Sequence, residues 1–480
     1  MVEMKVLFAV WELDPFFKMG GLGDVARSLP AALKSLGVDI RVITPYYKVE
    51  KMGRNKKEKV AVFSLVYGGK KQTVEVWTTQ SPYTGVPAYF IKNKKYLDKA
   101  NPVDTWGFFD KVIVEILKRK VLDWEPDILH LNDRHCGLIP LLIKNEKIPV
   151  KTVFTIHNLA YQGPSPVSVI KDMGIDPNLC KIVQWEIKSK KINFLLEGII
   201  HSDKITVVSP TYAKEILTEE YGQGLNEILR GMEGKIEGIL NGIDTGWRNT
   251  THYKSVKYPY NSHEEIVGGK KFYNWKEGKK LNKKFLQKKL GLKVDNNLPL
   301  VCFIGRLDPK QKGLDIMHTM LRRNVEKQKF QFVMLGDGDK HWEERYNWLS
   351  TFFPKYVSCN FKFDEALAHQ IYAGSDFILI PSLYEPCGLI QMIAMLFGTI
   401  PVAHKTGGLI DSIKENFTGF LFEKYNSESL EKALFKAFDV WKNDKKQFEE
   451  ITNNALNSDF SWKRSAQEYF SLYKKLLDNN

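Results

Sequence analysis

The sequence predicts an α/β protein of two doubly wound domains that face each other across a deep cleft. Three observations predict it. Short β-branched runs alternate with helical stretches, the pattern of parallel sheets built from βαβ units. The alternation comes in two blocks, separated by a Lys-, Asn- and aromatic-rich stretch that runs from Asp244 to about Lys289 with no sustained period. The 480 residues also exceed what a single core fills, since cores stop growing beyond about 250–300 residues.

In the first block, Lys5–Val10, Asp39–Thr44, Ile128–Leu131, Thr152–Ile156 and Lys204–Val208 read as strands. In the second, Pro299–Ile304, Phe330–Leu335, Val357–Phe363, Phe377–Pro381, Ile400–Ala403 and Gly419–Phe422 do. Glu365–Ala373 and Leu389–Phe397 read as helices between them. Ser461–Leu477 reads as a last helix, because Trp462, Ala466, Tyr469, Leu472 and Tyr473 return at helical spacing. The expected domains are 1–245 and 246–460, with 246–290 an irregular linker region and 461–480 a helix packing back on the first domain.

Composition narrows the class. The chain is 43% hydrophobic and 26% charged, as soluble globular domains are. No apolar run is long enough to span a bilayer, and Met1–Val10 lacks the layout of a secretory signal, so a cytoplasmic protein is expected. Five cysteines, Cys136, Cys180, Cys302, Cys359 and Cys387, are odd in number and lack metal-ligand spacing; free thiols are expected. The net charge of +14 raises a polyanion partner. However, the lysines are densest in two polar stretches, Lys51–Lys59 and Lys270–Lys289, and form no recognition helix. A solvated basic surface is the simpler reading.

In open α/β sheets, ligands bind beyond the carboxyl ends of the strands. Strand-end loops in both halves carry candidate chemistry. Lys18-Met19-Gly20-Gly21-Leu22-Gly23-Asp24 follows the first strand. Its glycines admit a ligand to the backbone, and free N–H groups at the helix start attract anions. Thr406-Gly407-Gly408-Leu409 repeats the device in the second half, which suggests two facing loops. Gly305-Arg306, followed by Lys312, puts two fixed cations at a strand end, suited to a pyrophosphate. Glu385-Pro386-Cys387-Gly388-Leu389 places a carboxylate before an apolar helix, where it can accept hydrogen bonds from ribose or sugar hydroxyls. Cys387 has no partnered base nearby in sequence and reads as packing. His130, Asp133 and His135, with His157 and Asn158 further on, supply polar groups at sheet ends in the first half. Their spacing fits no compact metal site.

Together these loops resemble the bacterial and plant glycogen/starch synthases, retaining transferases with the glycosyltransferase B fold of two facing Rossmann-like domains. The likeness runs from Lys18–Val25 through Asp133, Thr155–Gly163, Asn193–Phe194, Val208–Ile216 and Gly238–Asp244. It continues through Gly305–Asp315, Asp364–Asp376, Pro381–Leu389 and Thr399–Asp411 to Phe460–Trp462. The resemblance implies that Lys18 contacts the nucleotide-sugar, that His157 lies beside the donor glucose and that Asp133 sits on the acceptor side. It implies that Arg306 and Lys312 hold the diphosphate, that Glu385 belongs to the donor site, that Phe363 stacks on the base and that Gly407-Gly408-Leu409 is a second phosphate loop. The family usually has Trp where Arg134 stands, Lys where Leu196 and Glu197 stand, and Tyr where Phe363 stands. Ile393 occupies the position of a second glutamate, as in the bacterial and plant branch.

The implied reaction is transfer of glucose from ADP-glucose, with UDP-glucose as the alternative, to the 4-hydroxyl of an α-1,4-glucan end such as glycogen or a maltooligosaccharide. Configuration is retained, with no cofactor and no metal, since fixed cations stabilise the departing diphosphate. A sucrose-forming or maltosyl transferase of the same fold, a non-catalytic glucan-binding protein and a nucleic-acid binder are the rival readings. The last rests on net charge alone.

Overall fold

The computed structural model describes residues 4–46, 57–97, 105–176, 190–244, 254–261, 265–267 and 270–478. Cys180 and the 51–56 part of the first lysine-rich stretch lie outside the described residues. The chain divides into two compact units, one of residues 1–242 and 462–480, the other of 243–461.

The first unit is built on a nine-stranded sheet. Its strands are β1 (Lys5–Ala9), β2 (Asp39–Pro45), β3 (Glu58–Tyr67), β4 (Lys70–Gln80), β5 (Pro87–Lys92), β6 (Ile128–Asn132), β7 (Lys151–Ile156), β10 (Lys204–Val207) and β11 (Ile236–Gly238), while β8 (Pro164–Pro166) and β9 (Lys191–Asn193) form a separate pair. The order is β11-β10-β7-β6-β1-β2-β5-β4-β3. From β11 to β5 the pairs are parallel, and β1 is central with Val6 to Ala9 wholly buried. Runs buried on both faces need no polar alternation, which is why β1 reads as a nearly continuous apolar segment and why β6 is interrupted within its length only by His130.

β3, β4 and β5 add an antiparallel edge that the sequence reading did not include. Tyr67 pairs with Lys70 across Gly68 and Gly69, both at positive φ (58° and 69°), the backbone a two-residue hairpin needs. The signal was a Gly-Gly pair between two alternating runs. It was masked because Val60, Val62 and Val66 alternate onto an exposed face.

The helix Gly21–Ser35 buries Val25, Leu29 and Leu33 and continues through Pro30. The helix Trp462–Asp478 packs against it, and Trp462, Ala466, Tyr469, Leu472 and Tyr473 join the same core as Val6, Phe8 and Ile128. Tyr473 Oη and His130 Nδ1 are hydrogen-bonded. His130 Nε2 contacts Thr155 Oγ1 at 2.6 Å, and that hydroxyl contacts Thr206 Oγ1 at 2.6 Å. A polar chain thus threads the core with every ring nitrogen partnered, as a buried histidine requires.

The second unit holds a small sheet of β12 (Tyr260–Asn261), β13 (Glu265–Val267) and β14 (Lys270–Asn274). Its main sheet has six parallel strands: β15 (Leu300–Ile304), β16 (Gln331–Leu335), β17 (Val357–Asn360), β18 (Phe377–Ile380), β19 (Ile400–His404) and β20 (Phe420–Phe422). The order is β17-β16-β15-β18-β19-β20, so the winding reverses between β15 and β18. β17 stops at Asn360. Phe363 therefore lies in the loop before the helix Glu365–Gly374, whose first turn is capped by Asp364 accepting the Leu367 N–H at 2.8 Å.

The stretch read as irregular up to Lys289 contains a 15-residue helix, Trp275–Lys289. Its buried face is Trp275, Gly278, Lys279, Asn282, Lys283, Leu286 and Gln287. The spacing is helical, but most of the buried residues are polar, so no apolar period shows. Lys279 is buried with its Nζ on Thr399 Oγ1 (2.9 Å) and Phe397 O (3.1 Å), and Lys283 pairs with Asp376 at 2.6 Å. Buried cations need such partners.

Candidate active site

In the second unit the site forms where the winding reverses, between the ends of β15 and β18, the place such sheets bind ligands. β15 leads into Gly305 and Arg306. Gly305 donates its N–H to Leu335 O at 3.0 Å, and Arg306 lines a groove of about 560 Å³ with Leu307, Asp308, Asp337 and Gly338. Gly313, at φ 64°, lies so close to the Pro381 carbonyl that a Cβ would collide with it. That approach brings Lys312 to the end of β18. Lys312 Nζ donates to Glu385 Oε2 at 2.6 Å, and Ser382 Oγ donates to the same oxygen at 2.9 Å. Both side chains of the ion pair are about nine-tenths buried (12% and 9% exposed), so solvent screens them little.

The loop after β19 closes on this cluster. Gly408 donates its N–H to Glu385 O at 3.0 Å, and a side chain at Gly408 would strike Cys387. His404 Nδ1 donates to Ser382 O at 2.8 Å, fixing the serine loop. Thr406 is wholly buried and Gly407 has φ 45°. Gly388, at φ 71°, follows Cys387, whose carbonyl accepts from Gln391 Nε2 at 3.0 Å; the Cys387 side chain is buried. Leu389 leads into the helix Ile390–Leu396. Lys312, Glu385, Cys387, Gly388, Gly407 and Gly408 are thus one cluster. Phe363 stands apart from it as an exposed ring, 87% accessible.

In the first unit, β6 and β7 are parallel neighbours with Asn132 opposite Thr155, so Asp133 and His157 leave the sheet at one end. Asp133 Oδ1 accepts the His157 N–H at 2.8 Å. Asn132 Nδ2 donates to Ala9 O at 3.0 Å, so its Oδ1, 2.9 Å from His157 Nε2, is the acceptor and Nε2 carries the proton. Burial holds the His157 pKa below its ordinary value, against a smaller opposing pull from Asp133. The imidazole is therefore neutral near pH 7. Asp133 has φ 56° and ψ −177°, a backbone state that costs about 1–3 kcal/mol outside glycine. The Asp133 N–H to Thr155 O bond, 2.9 Å, helps hold it there. Asn158 Oδ1 accepts the Ala160 N–H at 3.0 Å and shapes the turn after His157.

At the end of β1 lies the first glycine turn. The amides of Met19 and Gly20 are not open to an anion, because both donate to Glu12 Oε2, at 2.8 and 2.9 Å. Gly20 is the N-cap of a helix that starts at Gly21. Lys18 Nζ is paired with Asp24 Oδ1 at 2.7 Å. The turn is closed by an internal carboxylate, and its lysine is held by the first helical turn.

With this geometry in view, likeness to known proteins is informative. The starch synthase catalytic domain family matches residues 5–231, and the glycosyl transferases group 1 family matches residues 282–456. A glycogen synthase of Clostridium beijerinckii is 39% identical, the alignment covering 98% of this chain and 99% of that one. A glycogen synthase of Thermosipho melanesiensis is 41% identical over 99% of both chains. The chain belongs to the glycogen synthase family. Among solved structures, the catalytic domain of starch synthase IV from Arabidopsis thaliana, bound to ADP and acarbose, superposes with a TM-score of 0.86 at 31% identity, covering 99% of this chain and 100% of that one. Membership of the glycogen synthase family carries the glycosyltransferase B fold and the hexosyltransferase class that the sequence led us to expect.

Four groups in this glycogen synthase relative were missed by the sequence reading. Glu12 is a buried acid six residues before Lys18. Ser382 shares the Glu385 oxygen. Asn132 sets the His157 tautomer. Trp106 lies in a helix far from any motif, and Arg134 lies over its ring at 5.1 Å. Ser382 lies inside the quoted Pro381–Leu389 motif, Asn132 directly precedes Asp133 and Glu12 follows the first strand, so all three could have been found as polar residues at a strand end. Trp106 had no sequence signal. Among the described residues, no group of three or more His, Cys, Asp or Glu side chains is placed to hold a metal ion, and no helix is long and apolar enough to cross a membrane.

Proposed function

We propose that this protein transfers glucose from ADP-glucose to the 4-hydroxyl at the non-reducing end of an α-1,4-glucan, with the α-configuration retained. The observation that carries the reading is the buried cluster of Lys312, Glu385 and Ser382 at the reversal of the second sheet. Lys312 and Arg306 take the diphosphate, whose charge grows as the anomeric bond breaks, and fixed cations stabilise that change without reorganisation. Glu385 accepts from hydroxyls of the donor, and Phe363 stacks on the base. Lys18 turns from Asp24 to the nucleotide-sugar.

His157, neutral and held by Asn132, lies beside the donor glucose, and Asp133 marks the acceptor side. The bond from the anomeric carbon to the diphosphate oxygen breaks, and the acceptor 4-oxygen bonds to that carbon from the same face. The hydroxyl proton passes to the departing phosphate oxygen. No covalent sugar–enzyme intermediate is invoked. The reaction runs in the cytoplasm on glycogen or maltooligosaccharides.

The test is the initial rate with labelled ADP-glucose and UDP-glucose on a glycogen primer, with fructose 6-phosphate and glucose 1-phosphate as rival acceptors. Label entering polymer fastest from ADP-glucose supports the reading. Label entering only a small phosphorylated disaccharide, or nucleotide binding with no release of ADP, overturns it.

A further inference from the structure

Arg134 follows Asp133 directly. Its guanidinium carbon lies 5.1 Å from the centroid of the Trp106 ring and 5.3 Å from that of Tyr161. The side chain is half-buried. Among the described residues, no carboxylate, carbonyl or hydroxyl takes its N–H groups. A cation on a flexible stem is thus held against two rings, and among the described residues its donors meet no acceptor.

The surrounding backbone is built for this arrangement. Gly163 has φ 69°, and a Cβ there would stand 2.8 Å from Trp106 and 3.0 Å from Arg134, so the loop must be bare where it passes the stack. Gln162 anchors that loop, its carbonyl accepting the Leu195 N–H at 3.0 Å and its Oε1 accepting from Asn193 Nδ2 at 2.7 Å. Leu159 N–H donates to Tyr212 Oη at 3.0 Å from the other side. Trp106 is held edge-on by His135 and Phe194, at 5.0 and 5.7 Å.

We infer that Arg134 is a specificity-determining residue for the acceptor: its guanidinium edge donates hydrogen bonds to hydroxyls of the glucan end that lies beside Asp133. The inference rests on the acceptor-side reading of Asp133 proposed above. An indole at this position offers a sugar mainly a stacking surface, which tolerates loss of one hydroxyl. A fixed guanidinium rejects such a loss, because its donors are then left desolvated and unpaired.

The experiment compares wild type with Arg134→Trp, Arg134→Lys and Arg134→Ala, using maltotetraose and a set of maltotetraoses singly deoxygenated on the terminal glucose. Wild type is expected to lose ~100-fold or more in kcat/KM for at least one deoxy acceptor. Arg134→Trp is expected to lose only ~10-fold for that acceptor, the scale of a missing apolar contact. Arg134→Lys keeps the charge but not the planar fork, so it too loses the discrimination. The KM for ADP-glucose and the melting temperature stay near wild type in at least one of these variants. An unchanged deoxy pattern in a folded Trp or Lys variant, or a wild-type acceptor KM in Arg134→Ala, overturns the role of Arg134. Failure of wild type to extend any α-glucan overturns the functional reading itself.

Discussion

The carboxylate of Glu12 accepts the amide N–H of Gly20 at 2.9 Å, and through the same oxygen that of Met19, so the glycine turn that carries Lys18 is shaped by a buried acid. The arrangement satisfies amides that would otherwise be orphaned at a helix start. Glu12→Ala is expected to loosen this turn and raise the KM for ADP-glucose by ~10-fold, the worth of about one hydrogen bond to a charged group. Glu12→Gln keeps an acceptor oxygen and should recover most of that loss. Steady-state kinetics with the donor varied at saturating glycogen checks both. A wild-type donor KM in Glu12→Ala would show that the turn holds its shape without the acid.

Lys312 and Glu385 stand 2.6 Å apart with little exposure. Glu385→Gln keeps the shape and should leave the protein folded while turnover falls by about 10²-fold or more, the scale of removing one preorganised electrostatic group. Lys312→Ala is the harsher change. It removes a cation from the proposed diphosphate site and strands a buried carboxylate, for which about 3–5 kcal/mol of stability is the expected loss. Initial rates and urea unfolding midpoints separate the two effects. Near-normal turnover in both variants would mean that the donor site lies elsewhere.

Acid should destabilise the fold through buried histidines. Burial lowers His130 to a pKa of about 3, and His201 and His318 to about 4. Unfolded histidine titrates near 6.5, so between that value and the folded pKa the unfolded chain binds more protons than the native one. The contribution of these histidines to stability is full above about pH 6.5 and declines as pH falls towards 4. Urea midpoints between pH 7 and pH 4 should fall accordingly, and His318→Gln should flatten the slope. A midpoint independent of pH across that range would contradict the assignment.

Gly313 and Gly174 form a matched test of strain against collision. Both have positive φ, 64° and 69°, but a Cβ at Gly174 meets nothing within 4 Å while one at Gly313 runs into Pro381. Gly174→Ala is expected to cost about 1–2 kcal/mol, the penalty of the left-handed region alone. Gly313→Ala should cost clearly more, and should lower turnover as well, since Lys312 is carried by the same turn. Thermal melts and rates on the two variants decide it.

Much of this molecule was legible in the sequence, and the rest was hidden for identifiable reasons. The strands β1, β6, β7, β15, β16, β18 and β19 are buried on both sides and declare themselves as apolar runs. The strand-end glycines mark loops that pass close to other backbone, as Gly313 and Gly408 do. The helix Trp275–Lys289 was hidden because its inward face carries Lys279, Asn282, Lys283 and Gln287, each satisfied by partners distant in sequence that no local pattern reports. The role of Glu12 was hidden for a similar reason: an acid in a loop looks solvated until the amides it accepts are known. Trp106 lies beneath Arg134 only because two distant segments fold together.

The first unit is interrupted in sequence, running from 1 to 242 and resuming at 462, whereas the second is one continuous piece. Ile243 and Ser461, where the chain enters and leaves that piece, are paired side by side, with the Ile243 N–H donating to Phe460 O at 2.7 Å. During synthesis the second unit can therefore finish folding as its own residues emerge, but the first cannot. His130 awaits Tyr473, which leaves the ribosome more than three hundred residues later, so the nascent chain must keep an incomplete apolar core shielded until that last helix has been made.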